Sequence, residues 1–209
     1  IIVGAGSAGC VMANRLSGNP ATRVCLVEAG PPDRNPMIHM PFGLAALARM
    51  RWLNWGYETE PEPHLMNRRL YWPRGRVLGG SSSINAMIYM RGHPQDYRDW
   101  AAAAGADWDW PRVRAIFKDM EDNRAITDDH HGQGGPLTVS NLRQPNPLSR
   151  DFVRAGAECQ IPVNPDFNGA QLEGFGFYQV TQKNGQRWST AAGYLNAARD
   201  RDNLTIRTR

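Results

Sequence analysis

Short apolar runs near the start of the chain predict two strands with a helix between them. Residues 1–3 are consecutive apolar side chains, and the second predicted strand, residues 23–28, contains the apolar run 24–27 and ends in Glu28. Runs of this kind are typical of strands buried in a parallel sheet. Residues 10–16 have a composition that a helix accepts. The order of strand, helix and strand predicts the beginning of an α/β fold.

Prolines and capping residues mark three predicted helices in the middle of the chain. The first follows Pro94 and ends near Gly105, the second has Pro111 at its first helical position, and the third opens at Asn146-Pro147. The second helix also has apolar residues at the i, i+3, i+4 and i+7 spacing of one helical face. These residues are Val113, Ile116, Phe117 and Met120.

The last part of the chain predicts strands and turns. Residues 136–140 and 175–183 are expected to be strands, and Asn184-Gly185 strongly indicates a hairpin turn. Ser189 or Thr190 can cap a short helix that runs to Ala198. Because this half lacks a βαβ rhythm, the predicted fold is a nucleotide-binding α/β domain joined to part of an α+β domain.

The composition is ordinary for a globular protein and disfavours several classes. The net charge is +4 and the cations are almost all scattered arginines, which argues against a nucleic-acid-binding protein. Three cysteines without a C-x-x-C pair predict neither a disulfide framework nor a zinc site. No uncharged stretch approaches the roughly 18 apolar residues of a membrane span. We expect a cytoplasmic protein, with peripheral attachment to the inner membrane as the alternative.

The two ends of the sequence read as interrupted strands. The first strand has only three apolar residues, and Leu204 and Ile206 alternate with polar residues in a pattern that stops at Arg209. A strand without neighbours leaves its backbone hydrogen-bonding groups unpaired. The expectation is therefore that the native protein continues past Arg209.

A glycine motif follows the first predicted strand. Gly4-Ala5-Gly6-Ser7-Ala8-Gly9 has the G-x-G-x-x-G spacing of a dinucleotide fingerprint, in which the glycines permit a tight turn, backbone approach to a pyrophosphate and close helix packing. Glu28 comes nineteen residues after Gly9, where a carboxylate can bind ribose hydroxyls and would repel a 2′-phosphate. The motif disfavours NADP but does not separate FAD from NAD. A glycine-rich turn in an unrelated α/β fold is the alternative.

Two tracts together resemble the glucose–methanol–choline (GMC) flavoprotein oxidoreductases. They are residues 1–30 and residues 72–92, WPRGRVLGGSSSINAMIYMRG, of which the second is the more specific. The resemblance continues through residues 54–59, His131-Gly132 and residues 188–191, and corresponds to roughly the first two fifths of a family member. Residues 176–189 are more similar to membrane-associated, quinone-linked dehydrogenases of aliphatic alcohols than to choline dehydrogenases.

The resemblance implies a fragment of a two-domain flavoenzyme. Residues 1–134 would form a Rossmann-like FAD-binding region, residues 135–188 part of a substrate-binding domain, and residues 189–209 a return to the FAD domain. The implied reaction oxidises a primary alcohol to an aldehyde by hydride transfer to flavin N5, with a quinone or another acceptor taking the electrons. A choline dehydrogenase, an oxygen-using oxidase of the family and a non-catalytic FAD-binding module are the alternatives.

The resemblance also implies the cofactor-binding residues. The ADP half would lie on Gly4, Gly6, Ser7, Ala8, Gly9, Glu28 and Ala29. The isoalloxazine would lie on Trp55, Val77, Gly80, Asn85, Ala86, Met87 and Ile88, with a backbone N–H near Ala86 close to N5 and small residues that let main chain approach the flat ring. Some relatives hold FAD covalently through a His before the Asn. Ile84 stands there in this sequence, so non-covalent FAD is predicted.

No catalytic or metal-binding residue is predicted within these 209 residues. Alcohol oxidation needs a base, and in the family a C-terminal His supplies it. His130-His131 is predicted to be an exposed loop, because adjacent residues on one loop rarely bind one metal and no third ligand has suitable spacing. His39 is interpreted as a packing residue, and His64 and His93 as surface or turn residues.

Overall fold

The structure is a computed structural model that describes residues 1–209. The chain divides into two compact units, of which the first comprises Ile1–Met87 and Asn184–Arg209 and the second Ile88–Lys183. The boundaries between these units differ from the domain boundaries predicted from the sequence. The predicted domain boundaries stay a prediction. None of the helices has the length and apolar character needed to cross a membrane.

Six helices and eleven short strands make up the regular structure. The helices are α1 (Ser7–Leu16), α2 (Pro36–His39), α3 (Leu44–Leu47), α4 (Pro94–Ala104), α5 (Trp110–Met120) and α6 (Pro147–Glu158). The strands are β1 (Ile2–Val3), β2 (Val24–Val27), β3 (Tyr57–Glu58), β4 (Tyr71–Trp72), β5 (Ile88–Tyr89), β6 (Glu121–Asn123), β7 (Leu137–Val139), β8 (Gln179–Val180), β9 (Gln182–Lys183), β10 (Gln186–Arg187) and β11 (Leu204–Arg207). Short 3₁₀ turns span Pro41–Gly43, Pro63–Leu65, Gly80–Ser83 and Ala106–Trp108, and a π-helix spans Ala191–Leu195.

The first unit is built on a parallel sheet with the strand order β1-β2-β11. Helix α1 connects β1 to β2 and packs its Cys10 and Ala13 face against the sheet and the π-helix, where Tyr194 and Leu195 are buried. The Asn14 side chain donates to the Tyr194 carbonyl at 2.8 Å. The predicted strand, helix and strand at the start of the chain are therefore confirmed, and β11 is the third strand of the same sheet.

The second unit combines two small sheets with three capped helices. Strands β6 and β7 are parallel, whereas β5 and β8 are antiparallel. His93 caps α4 in a capping box with Asp96, and Asn146 caps α6. The helices predicted at Pro94 and Asn146-Pro147 are confirmed. Pro111 is the second residue of α5 and not the first, because Asp109 is the cap.

Two predicted elements differ from the structure. The expected strand at 175–183 is interrupted because its residues pair with different partners: Phe175 with Val163, and Val180 with Ile88 and Ser140. The helix expected up to Ala198 is instead the π-helix Ala191–Leu195. The N-cap of this π-helix is Thr190, whose side chain makes no capping hydrogen bond, whereas the Ser189 hydroxyl accepts the N–H of Ala192 at 3.2 Å. Asn184 and Gly185 both have the positive φ that a type I′ turn needs.

Candidate dinucleotide site

The glycine motif lies at the N-terminus of α1, directly after β1. Gly6 is the N-cap and no side chain caps the helix, so the first N–H groups lack an acceptor within the helix. A Cβ atom on Gly9 would overlap the carbonyl oxygen of Gly4, whereas one on Gly6 would meet no atom within 4 Å. Ser7 and Ala8 in the first turn are exposed. Gly9 is thus required for packing, and Gly6 borders open space at a helix N-terminus, the kind of helix end that favours anions.

The second small-residue tract folds back onto the glycine motif. The Gly79 N–H donates to the Ala5 carbonyl at 2.8 Å. Gly80 has a φ of +55°, and a Cβ atom there would lie 2.6 Å from the Cα of Gly6. Two motifs that are far apart in the sequence therefore form one surface of the first unit. Contact with Gly6 explains why residue 80 is small, and the contact of Gly80 with the isoalloxazine stays a prediction.

Glu28 follows β2 and its buried carboxylate braces the glycine motif. Oε2 accepts the Ala5 N–H at 2.7 Å, and Oε1 accepts the Gly30 N–H at 2.8 Å. A carboxylate has about four acceptor positions, so about two remain for ribose hydroxyls. Ala29 is exposed, and its carbonyl accepts the Arg76 side chain at 3.4 Å. The cofactor contacts of Glu28 and Ala29 stay predictions.

The serines of the second tract anchor the turn Gly80–Ser83. The Ser82 hydroxyl accepts the Thr190 N–H at 3.0 Å and lies 2.9 Å from the Thr190 hydroxyl. The Ser83 hydroxyl is buried and donates to the Leu78 carbonyl at 2.7 Å. These hydrogen bonds explain the serine run as structural anchors of a tight backbone turn.

The segment that follows this turn combines exposed residues with a constrained backbone. Asn85, Ala86 and Ile88 are exposed, whereas Met87 is buried. Met87 has a φ of +62°, which is uncommon for a residue other than glycine and is often found at functional sites. The Asn85 side chain accepts the Met87 N–H at 3.0 Å and so supports this conformation. Ile88 is the first residue of the second unit. Their flavin contacts stay predictions.

Two further predicted flavin neighbours have different surroundings. Val77 is fully buried in a cluster with Ile38, Leu47, Leu53 and Ile84, so packing accounts for its apolar side chain. Trp55, by contrast, is 45% exposed. Its ring stacks on Tyr57 with centroids 5.8 Å apart, and the Arg76 guanidinium lies 5.1 Å from the Trp55 centroid. The Trp55 ring is therefore accessible to a planar ligand. The contacts of Val77 and Trp55 with the flavin stay predictions.

The prediction that His130-His131 is an exposed loop is wrong for His131. Its side chain is fully buried, with Nδ1 2.9 Å from the Glu121 carboxylate and Nε2 2.9 Å from the Asp166 carboxylate. Arg91 pairs with Glu121 from the other side at 2.5 Å. The sequence interpretation failed because the neighbouring residues are polar, while the buried partners lie elsewhere in the second unit.

This ion network shifts two pKa values. Burial by itself would raise the pKa of Glu121, but hydrogen bonds from His131, Gly132 and Asn123 and the Arg91 charge lower it below 4.5. Burial would lower the pKa of His131, yet its carboxylate partners raise that pKa above 6.5. His131 is therefore favoured as an imidazolium.

The same network bears on the predicted absence of a metal. Asp128, His131 and Asp166 present ligand-type atoms within 4.8 Å of one another. Both imidazole nitrogens already lie at hydrogen-bond distance from carboxylates, so ion pairing explains the cluster without a cation. The absence of a metal site stays a prediction.

The other histidines have positions that agree with their interpretation. His39 lies 2.8 Å from the Asp33 carbonyl at the end of α2, His93 caps α4, and His64 lies in the exposed turn Pro63–Leu65. None of these three contacts defines a base for alcohol chemistry.

The site geometry defines a dinucleotide-binding protein of the α/β class. A parallel sheet, an uncapped helix N-terminus beside open space and an acidic residue after β2 are the parts that such a ligand requires. The sequence model of the GMC oxidoreductases matches residues 1–209, and the chain belongs to this family. FAD is the cofactor expected for the family. No atom would meet a Cβ at Gly6, so the space beside this helix N-terminus is compatible with the diphosphate of FAD, whose placement there stays a prediction.

Curated relatives match throughout the chain. The chain is 58% identical to an alcohol dehydrogenase [acceptor] of Pseudomonas putida over 209 residues, which is 100% of this chain and 38% of the relative. It is 44% identical to an oxygen-dependent choline dehydrogenase of Brucella anthropi, covering 99% of this chain and 38% of that protein. The chain thus spans little more than a third of these relatives.

Solved structures show the same fold. A pyridoxine 4-oxidase from Mesorbium loti matches with a TM-score of 0.93 and 40% identity, over 99% of this chain and 41% of that one. An FAD-dependent oxidoreductase from Chaetomium thermophilum matches with a TM-score of 0.86 and 27% identity, over 98% of this chain and 37% of that one.

Proposed function

We propose that this chain is the FAD-binding part of an enzyme that oxidises a primary alcohol to an aldehyde and passes the electrons to a quinone or another acceptor. One observation carries the proposal: the Gly80 turn packs directly on Gly6 at the uncapped N-terminus of α1. This contact unites the dinucleotide motif with the family's second tract. The similarity to an alcohol dehydrogenase [acceptor] supports the substrate class.

The residues of this chain bind and orient the cofactor. The free N–H groups at the start of α1 would hold the diphosphate, and Glu28 would hold the ribose. The segment after the Gly80 turn, with its constrained Met87 backbone, would present main-chain groups to the flavin. Bound FAD supplies the hydride acceptor, N5, and the alcohol carbon is the donor. We assign removal of the hydroxyl proton to a base outside residues 1–209.

Two other activities share the same cofactor site. The choline dehydrogenase relatives favour choline as the second candidate substrate, and the pyridoxine 4-oxidase neighbour favours oxygen as an alternative acceptor. A non-catalytic FAD-binding module is the remaining alternative. The predicted cytoplasmic location, with peripheral attachment to the inner membrane as its alternative, stays a proposal that cell fractionation would test.

The visible spectrum of the complete protein under anaerobic conditions tests the proposal. We expect a flavin spectrum that bleaches on addition of a medium-chain primary alcohol and does not bleach with choline. Bleaching only with choline would favour the second candidate. In air, an oxidase would produce peroxide stoichiometrically, whereas a dehydrogenase would require an added acceptor. A flavin spectrum that no alcohol bleaches would contradict the proposed activity.

A further inference from the structure

A buried arginine lies beneath the segment that would carry the flavin. Arg187, in β10, is 2% exposed and is the largest fully buried side chain of the protein. Its Nε donates to the Ile38 carbonyl at 2.7 Å, and its Nη1 donates to the Asn85 carbonyl at 2.7 Å and to the Asn85 side chain at 2.9 Å. Nη1 also reaches the Ser82 carbonyl at 3.3 Å. Arg187 therefore ties α2 to the turn and segment around Asn85.

The charge of Arg187 has no counter-ion within its unit. All of its acceptors are neutral oxygens, and no carboxylate lies within ion-pair distance. Its Nη2 is buried and has no hydrogen-bond partner. Burial lowers the pKa of Arg187 to about 10, and no acidic group offsets this effect. A guanidinium nevertheless remains protonated near neutral pH, so the interior holds an uncompensated positive charge.

An unpaired buried charge is costly, so its presence in the interior calls for an explanation. Arg187 directly holds Asn85, the first residue of the segment predicted to line the isoalloxazine. Reduction adds electrons to that ring, and a fixed positive charge nearby stabilises the electron-rich form. A role in the flavin site would therefore explain both the hydrogen bonds of Arg187 to Asn85 and its lack of a counter-ion.

We propose that Arg187 is a positioning residue of the flavin site, which fixes the Asn85 segment and whose charge favours reduced over oxidised FAD. This inference depends on the proposed function, because it requires FAD bound at Gly6 and the N-terminus of α1. It adds a residue that lies outside the glycine motif, the Gly80 tract and the predicted contacts.

The reduction potential of bound FAD, measured by dye equilibration on the complete protein, tests this proposal. The Arg187→Met variant removes the charge, and Arg23→Met removes an equal charge from an exposed position of the same unit. We expect Arg187→Met to weaken binding of reduced FAD relative to oxidised FAD at least tenfold. For a two-electron couple this is a fall of about 30 mV. The Arg23→Met potential should equal that of the wild type.

Arg187→Lys keeps the test decisive if the Met variant does not fold. Lysine retains the charge without the planar fork, so thermal stability should fall while the potential stays close to that of the wild type. A buried ammonium loses its proton more readily than a guanidinium. Raising the pH should therefore lower the potential of the Lys variant relative to that of the wild type.

Several results would overturn the inference. The first is a reduction potential in Arg187→Met equal to that of the wild type. The second is a fall in the potential of Arg23→Met as large as that of Arg187→Met. The third is a large fall in the potential of Arg187→Lys that is already present before the pH is raised. An unchanged potential with equal loss of thermal stability in the flavin-free and FAD-bound proteins would assign Arg187 a purely structural role in the first unit. A wild-type protein that binds no FAD would instead contradict the proposed function, so the two failures are distinguishable.

Discussion

Alanine at Gly80 should destabilise the fold, whereas alanine at Gly6 should leave the fold intact and weaken FAD binding. At Gly80, alanine would have to adopt a left-handed backbone, which costs about 1–2 kcal/mol. Its Cβ would also lie 2.6 Å from the Cα of Gly6, about 1 Å closer than carbon atoms normally pack. Overpacking of this kind costs about 1–3 kcal/mol. The Gly80→Ala protein should therefore lose about 2–5 kcal/mol of stability without any ligand present.

At Gly6 the protein itself has room for a methyl group. Gly6 has a φ of −72°, and a Cβ atom there meets nothing within 4 Å. The flavin-free Gly6→Ala protein should therefore unfold within about 0.5 kcal/mol of the wild type. The methyl group would occupy the space proposed for the diphosphate. Loss of one hydrogen bond to a charged group costs about 1.5–3 kcal/mol, so FAD should bind about 10- to 150-fold more weakly.

Two measurements separate these effects. Urea denaturation of the flavin-free proteins reports the change in stability, and fluorescence titration with FAD reports the change in affinity. Wild-type FAD affinity in Gly6→Ala would refute the placement of the diphosphate at α1. Wild-type stability in Gly80→Ala would refute the direct contact between the two motifs.

The remaining predictions concern the ion network, the thiols and Glu28. Because the pKa of His131 is raised above 6.5 and that of Glu121 is lowered below 4.5, their stabilisation is complete between these values. This stabilisation declines as pH rises through the folded-state pKa of His131 or falls through that of Glu121. The difference in the free energy of unfolding between wild type and His131→Gln, measured by urea denaturation, should therefore depend on pH and be largest between these two pKa values. Burial raises the pKa of the Cys10 thiol to about 11. Mass spectrometry should find Cys159 alkylated and Cys10 unmodified in the folded protein. Glu28→Gln would leave one buried backbone N–H without an acceptor, and the flavin-free protein should lose about 1–3 kcal/mol in urea denaturation.

The sequence was sufficient for features whose cause is local. The strand, glycine motif and helix of residues 2–16 form a contiguous pattern, and Pro94 and Asn146 mark helix starts by capping chemistry. In each case the residues that determine the structure lie within a few positions of one another. The same holds for the turn at Asn184-Gly185.

The missed residues depend on distant parts of the chain. Arg187 is separated from Ile38 by 149 positions and from Asn85 by 102, so no local pattern distinguishes it from the other arginines. His131 lies among polar residues that indicate an exposed loop, but its partner Asp166 is 35 positions further along. The only local indication for either residue was its place in a tract that resembles the family.

FAD titration of the complete, flavin-stripped protein tests the central claim most directly. We predict saturation at one FAD per chain, with Gly6→Ala requiring a higher FAD concentration. After acid precipitation the flavin should be in the supernatant, since Ile84 offers no nucleophile for a covalent bond. A protein that stays colourless and cannot be reconstituted with FAD would contradict the account.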